Sequence, residues 1–237
     1  MLFLIASVAP VLLFMYMVYT KDLQKEPFGL LVKCFAGGML STFASLLVSV
    51  PLSPLGAEIT SAFGSSFFDA FFQAAIPEEI AKWIIVYLVI FKSRHFDQHY
   101  DGIVYAVAVS LGFALVENFF YVFEGGMGVA VIRAVLAVPA HGLFGVVMGY
   151  YLSLAKFDKP EKSRTYFTKS ILIPMAMHGS YDFFLMYLNN EPTPLVTLAC
   201  IIGFTYVVIR SWKMGKHKIR QLWGKDGQSL DDQFPMS

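Results

Sequence analysis

Charge is scarce in this chain. Asp, Glu, Lys and Arg make up only 15% of the 237 residues, against roughly 25% in ordinary soluble domains. That is too little to clothe a water-facing surface. The formal net charge of +1 offers no electrostatic footprint for a nucleic-acid partner. Cysteine is scarcer still: Cys34 and Cys200 lie in different apolar segments without metal-ligand spacing, and buried free thiols are expected. No internal repeat stands out, parallel or inverted. The first apolar segment lacks a basic n-region and a small-residue cleavage site, so it reads as an uncleaved anchor.

What the chain has in abundance is apolar surface. It is 57% hydrophobic with 23 Phe and a mean hydropathy of +0.60. Apolar segments at 2–20, 28–50, 63–91, 101–123, 128–155, 167–188 and 194–213 approach or pass the roughly 18 to 20 residues that a spanning helix needs. The expected fold is therefore all-α, a polytopic transmembrane bundle of about seven spans. Residues 1–214 would form one membrane domain and 215–237 a cytoplasmic tail. The third and fifth segments are over-long, so a tilt, kink or interfacial half-helix is expected there.

Basic residues set the orientation. Lys21, Lys25 and Lys33 follow the first segment, Lys92 and Arg94 the third, and Lys156 to Lys169 the fifth; Arg210 to Lys225 close the seventh. The connections at 51–62, 124–127 and 189–193 carry no Lys or Arg. This alternation places the N-terminus outside and the C-terminus in the cytoplasm. Anionic headgroups would attract the basic start of the tail, whose end, DDQFPMS, is polar and acidic.

Against that background, six ionisable side chains inside apolar segments need a reason to be there: Glu78, Glu79, Lys82, Glu117, His141 and His178. A charge at the bilayer centre costs several kcal/mol, so such groups face a bundle interior and find partners. At about 1.5 Å per residue, Glu78, Glu117, His141 and His178 lie roughly 17 to 24 Å from the cytoplasmic ends of their segments. Four helices of alternating direction thus bring them to one level, and a shared cavity is expected.

Glu78 and Lys82, four apart, can pair. Glu79 sits about 100° round the helix, so only one of the two carboxylates can aim straight at a cavity centre. Such a set can tune a general base toward neutral pH. His141 and His178, opposite carboxylates at matched depth, suit a metal or a proton-handling site better than isolated core positions. Asp182, one turn beyond His178, can accept a ring N–H and fix the tautomer. Asn118 flanks Glu117 in a supporting position. Pro77, Pro139 and Pro174 each stand near one of these polar residues and can loosen the helix there. Arg133 has headgroups, a substrate carboxylate or Glu124 as candidate partners, while Lys82 or Arg133 could pair Glu117. Asp69 is a further intramembrane acid without an assigned role. GGMG at 125–128 reads as an outer turn, and His95 and His99 as exposed residues of a polar connection.

The motifs EEIAK at 78–82, Phe113 to Glu117, HGLFG from His141 and HGSYDF from His178 resemble those of the PrsW-type membrane proteases. These are relatives of the CAAX prenyl endopeptidases within the glutamate-dependent membrane proteases. The resemblance covers about 65–188 with the motifs in family order. Where the prenyl endopeptidases have His at the end of the second motif, Glu117 stands here, which speaks against prenylated substrates. The resemblance implies a multi-pass protein of a bacterial-type plasma membrane that cleaves a single-pass membrane protein, typically an anti-sigma factor, on the extracytoplasmic side in an envelope stress response.

The expected catalytic set is Glu78, Glu79, Glu117, His141 and His178, with Lys82, Asp182 and Asn118 supporting. Glu78, with Glu79 beside it, would be the base. Glu117, His141 and His178 would hold a divalent metal, zinc for preference, since two His and one carboxylate with an open position make a catalytic zinc set. A metal-free glutamate–histidine peptidase would use the same residues. The rival is a proton- or ion-coupled transporter built on the same buried acids and histidines. Transporters commonly show repeats and broken helices in corresponding halves, and neither is evident.

Overall fold

The computed structural model describes residues 2–233, with side chains placed over 5–228; Met1 and the last residues of the expected tail, 234–237, lie outside the described residues. The described chain is all-helical: α1 (Leu2–Tyr19), α2 (Phe28–Ala57), α3 (Ala62–Phe68), α4 (Ile76–Val86), α5 (Asp101–Val135), α6 (Ala137–Phe157), α7 (Pro160–Asn190) and α8 (Pro194–Gln233). Two π-helical stretches, Asp69–Ala75 and Tyr87–Phe91, join α3 to α4 and extend α4, so 62–91 is one continuous helical rod. Phe28–Ala57, Asp101–Phe157 and Pro194–Gln228 are long and apolar enough to cross a bilayer, and Ile5–Tyr19 is a shorter apolar helix.

All seven apolar segments are helical, but their ends differ from the sequence reading. α2 runs on through Pro51 and Pro54 to Ala57, because a proline's lost hydrogen bond is tolerable in a membrane helix. The expected turn at 125–128 shrinks to one residue. Gly126, at φ 71°, breaks the helix of α5, a backbone conformation that glycine adopts without a Cβ clash. The short stretch beyond it folds back along α5 before α6 begins. At the other end α8 does not stop where its apolar pattern ends near Trp212. It continues unbroken to Gln233, about 60 Å in all at 1.5 Å per residue.

α5 is the axis of the bundle: every residue from Asp101 to Ala114 is buried. α1 lies antiparallel beside it, tied by Asn118 Nδ2 donating to the Ser7 carbonyl (3.1 Å) at one end and Tyr100 Oη donating to the Val18 carbonyl (3.1 Å) at the other. α2 and α6 pack on further sides. Between α2 and α5 the backbones touch: a Cβ on Gly38 would lie 2.0 Å from the Val109 carbonyl oxygen, and one on Gly112 2.0 Å from that of Phe35. In lipid, where apolar burial drives no helix association, such small-residue contacts do. Gly112→Leu should therefore separate the two backbones. The expected loss is at least the ~1–3 kcal/mol typical of overpacking, read as a lowered melting temperature and a polydisperse elution profile in detergent.

The far end of α8 is fastened to the bundle. Asp226 accepts from the backbone N–H of His99 (3.0 Å) and Tyr100 (2.7 Å), and its Oδ1 lies 3.1 Å from His99 Nδ1. Lys225 pairs with Asp158 at 2.8 Å. His99 is thus a docking residue rather than a free loop residue. Cys34 and Cys200 are both buried free thiols, as expected.

Candidate active site

The site is assembled from four stretches of helix. The π-helical stretch before α4 widens the helix where Pro77 supplies no N–H, a helix variant that recurs at functional sites. α4 starts there with Glu78 and Glu79 in its first turn. α5 brings Glu117, α6 brings His141 in its second turn, and α7 brings His178 one turn beyond Pro174. Ser110 Oγ donates to the His141 carbonyl at 2.6 Å, fixing the start of α6 on α5.

Behind the cavity lies a buried ion pair. Lys82 Nζ is 2.8 Å from Glu79 Oε1, and both side chains are fully buried. The same ammonium reaches Glu78 Oε2 at 3.3 Å and His141 Nδ1 at 3.2 Å, and sits 3.9 Å over the Phe113 ring. An ammonium only donates, so His141 Nδ1 must accept from it. Glu79 Oε1 in turn lies 2.9 Å from His178 Nδ1, and a carboxylate paired with Lys82 only accepts, so His178 Nδ1 carries a proton. One buried pair therefore holds both imidazoles by their Nδ1 atoms.

The Nε2 atoms are left for the opposite side. His141 Nε2 is 2.7 Å from Glu117 Oε2; His178 Nε2 is 3.1 Å from Asp182 Oδ2 and 3.9 Å from Glu78 Oε2. The rings stand edge to face with centroids 5.1 Å apart, and Phe144 stacks on His178 at 4.9 Å. Glu78, Glu117, His141, His178, Asp182 and Arg133 all line a cavity of about 340 Å³. It adjoins a second one, about 640 Å³, and both are walled in part by Glu78 and Glu117. Arg133, brought back by the reversal at Gly126, donates to Glu117 Oε2 (2.8 Å) and Asn118 Oδ1 (2.9 Å).

A divalent ion fits the donor set. One carboxylate oxygen of Glu78 and one ring nitrogen each of His141 and His178 lie within 4.8 Å of one another. The carboxylate in this group is Glu78, where the sequence reading put Glu117. Glu117 is instead held between His141 and Arg133.

A match to the family described as PrsW family intramembrane metalloproteases spans residues 26–210. The chain belongs to the PrsW family. It is 38% identical over 186 residues to Protease PrsW of Bacillus subtilis (strain 168), covering 78% of this chain and 83% of that protein. Protease PrsW of Oceanobacillus iheyensis is 39% identical over 201 residues (84% and 91%), and that of Clostridioides difficile (strain 630) 34% over 227 residues (93% and 90%). No solved structure matches the chain. This PrsW-family chain is thus a membrane-embedded protease, and the transporter reading falls away.

Within the PrsW frame, the structure separates residues that the sequence placed together. Glu78 borders both cavities, whereas Glu79 borders neither and is fully buried behind them. Asn118 is spent on Ser7 and Arg133. Asp69 accepts from Gln73 Nε2 at 2.7 Å and lines the second cavity. The Arg133–Glu117 pair is one of the partnerships that the sequence offered, whereas Phe113 and Phe144, ring partners of Lys82 and His178, were missed. Each Phe lies one helical turn from its motif's ionisable residue, which was the available signal.

Proposed function

We propose that the chain is a multi-pass plasma-membrane endopeptidase of about seven spans, N-terminus outside, that clips single-pass membrane proteins of the anti-sigma-factor kind in an envelope stress response. Residues 1–214 would be its membrane domain and 215–237 a cytoplasmic extension. The alternation of basic connections supports the orientation, and the family match supports the reaction. The observation that carries the site assignment is the capture of both Nδ1 atoms by Lys82 and Glu79. It turns both Nε2 atoms toward a cavity that Glu78 and Glu117 share.

In the metal-free form of the reaction, Glu78 is the base. It is the freer cavity carboxylate, with Lys82 at 3.3 Å and His178 Nε2 at 3.9 Å, while Glu117 is held at 2.7 and 2.8 Å by His141 and Arg133. Glu78 takes a proton from water, the hydroxide oxygen bonds to the scissile carbonyl carbon, and the oxyanion is met by Nε2–H of His178 and the Arg133 guanidinium. Glu78 then returns the proton to the departing amine as the C–N bond breaks. The pairing of each Nε2 with a carboxylate favours this form.

The 4.8 Å grouping favours a second form, in which Glu78, His141 and His178 would hold a divalent ion, zinc by donor type, once Lys82 has left His141 Nδ1 and that ring keeps its one proton there, freeing Nε2 as a ligand. Such an ion would acidify water and polarise the carbonyl. Glu117 would then receive the water proton.

Elemental analysis of the purified protein tells the forms apart. One equivalent of transition metal in wild type, lost in both Glu78→Gln and His178→Ala, is the result expected of the metal form. An active protein with no transition metal, insensitive to chelator, rules that form out. For the reaction itself, reconstituted protein should cut a tagged single-pass substrate within or beside its span. Intact substrate with well-folded wild type across a panel of such proteins would refute it.

A further inference from the structure

A second group of carboxylates lies at the opposite end of α5 from Glu117. Glu26 comes from the α1–α2 connection, Asp97 from the connection before α5, and Asp101 is the first residue of α5. One oxygen from each lies within 4.8 Å of the others. Glu26 is 7% exposed and Asp101 0%, while Asp97 is exposed and gives access from solvent.

Two neighbouring buried carboxylates are costly unless something positive stands between them. Among the described residues no Lys, Arg or His makes an ion pair with any of the three; the nearby Lys156 points its ammonium at the Ser93 carbonyl (3.4 Å) and over the Phe96 ring (4.2 Å). Hydrogen bonds account for only part of the group. Asp101 Oδ2 accepts from the backbone N–H of Asp97 (3.0 Å) and Gln98 (2.6 Å). Asp101 Oδ1, fully buried, meets no N–H or hydroxyl donor, and the Asp101 carboxyl lies within hydrogen-bond reach of that of Glu26. Tyr105 Oη stands between Glu26 Oε2 and the His95 carbonyl. The unmet demand is that of a buried oxygen within an all-oxygen set.

We propose that Glu26, Asp97 and Asp101, whose buried Oδ1 meets no donor, form a binding site for a hard divalent cation of the magnesium or calcium class. Oxygen-only donors select such ions over zinc or copper. Calcium–oxygen bonds of about 2.3–2.6 Å put opposite ligands about 4.6–5.2 Å apart, and magnesium's shorter bonds bring them closer, so the observed spread suits one ion. Asp97, on the solvent side, leaves coordination positions for water. The site cross-links the α1–α2 connection to the segment that opens α5, far apart in sequence, and clamps the base of the helix that carries Glu117. It does not depend on the mechanism proposed above.

The test uses full-length protein in lipid nanodiscs, stripped with chelator and titrated with CaCl2 and, separately, MgCl2. Heat of binding and melting temperature are both followed. One saturable site with a raised melting temperature is expected, weakened by about tenfold or more in Asp97→Asn as one ligand charge is lost. Because Asp97 is exposed, the metal-free variant should melt as wild type does. Glu26→Gln, which keeps an oxygen for Tyr105, should weaken binding similarly. The proposal is overturned by the lack of saturable binding at millimolar cation, or by equal binding in wild type and Asp97→Asn, which would place the ion elsewhere. It is equally overturned if infrared spectra under saturating cation still show a protonated carboxyl that Asp101→Asn removes, since a shared proton would then be the bridge.

Discussion

Glu78→Gln is expected to fold like the wild type and to lose cleavage by about a hundred- to ten-thousandfold, the usual worth of a positioned acid–base group. The variant should fold because Glu78 is the outer carboxylate of its helix. It is 14% exposed, and Lys82 keeps its shorter contact with Glu79 when the 3.3 Å contact to Glu78 is weakened. Activity should fall because a carboxamide neither takes a proton from water nor holds a divalent ion well. Both forms of the proposed reaction need this carboxylate, so the outcome does not hinge on the metal question. Normal clipping by well-folded Glu78→Gln would end the assignment.

Lys82→Met should do the opposite, damaging the fold first. Glu79 and Lys82 are fully buried and 2.8 Å apart. Removing the cation strands a carboxylate in a medium that cannot solvate it, a loss of about 3–5 kcal/mol for a broken buried pair. The His141 Nδ1 contact goes with it. The double variant Glu79→Gln with Lys82→Met removes both charges and should regain much of the stability, because neutral isosteres of a buried pair are often tolerated. It should stay inactive, since His141 Nδ1 then has no partner and a carboxamide oxygen holds His178 Nδ1 more weakly than a carboxylate does. Melting temperatures of the single and double variants make a thermodynamic cycle. If the single variant melts like wild type, the pair is not the support described here.

How much of this was legible in the sequence depends on how far each contact reaches along the chain. Apolar runs marked the helices, and intramembrane Glu and His marked the cavity, because both signals are local. The partner of Lys82 was harder. Spacings of three and four residues are both close on a helix, and only the direction in which α4 faces α6 and α7 makes Glu79 the nearer partner and leaves Glu78 in the cavity. Arg133 was offered several partners because a reversal at Gly126 tells where the chain turns but not where it docks. The extension of α8 past Trp212 was invisible for the same reason. Its latch, Asp226, meets Tyr100 across 126 positions, and an apolar pattern cannot report a polar contact of that range.

The glycine contacts bear on how a polypeptide gets in. α2 and α5 touch backbone to backbone at Gly38 and Gly112, and α5 meets α6 as closely where Gly149 faces Gly102. Helices in such contact cannot slide or part by a fraction of an ångström without giving up the whole seam. The wall bearing Glu117 and His141 is therefore a fixed anvil. A gate that admits and unwinds a substrate strand has its room on the other side, at the π-helical stretch Asp69–Ala75 and the short stretch 127–135 after Gly126.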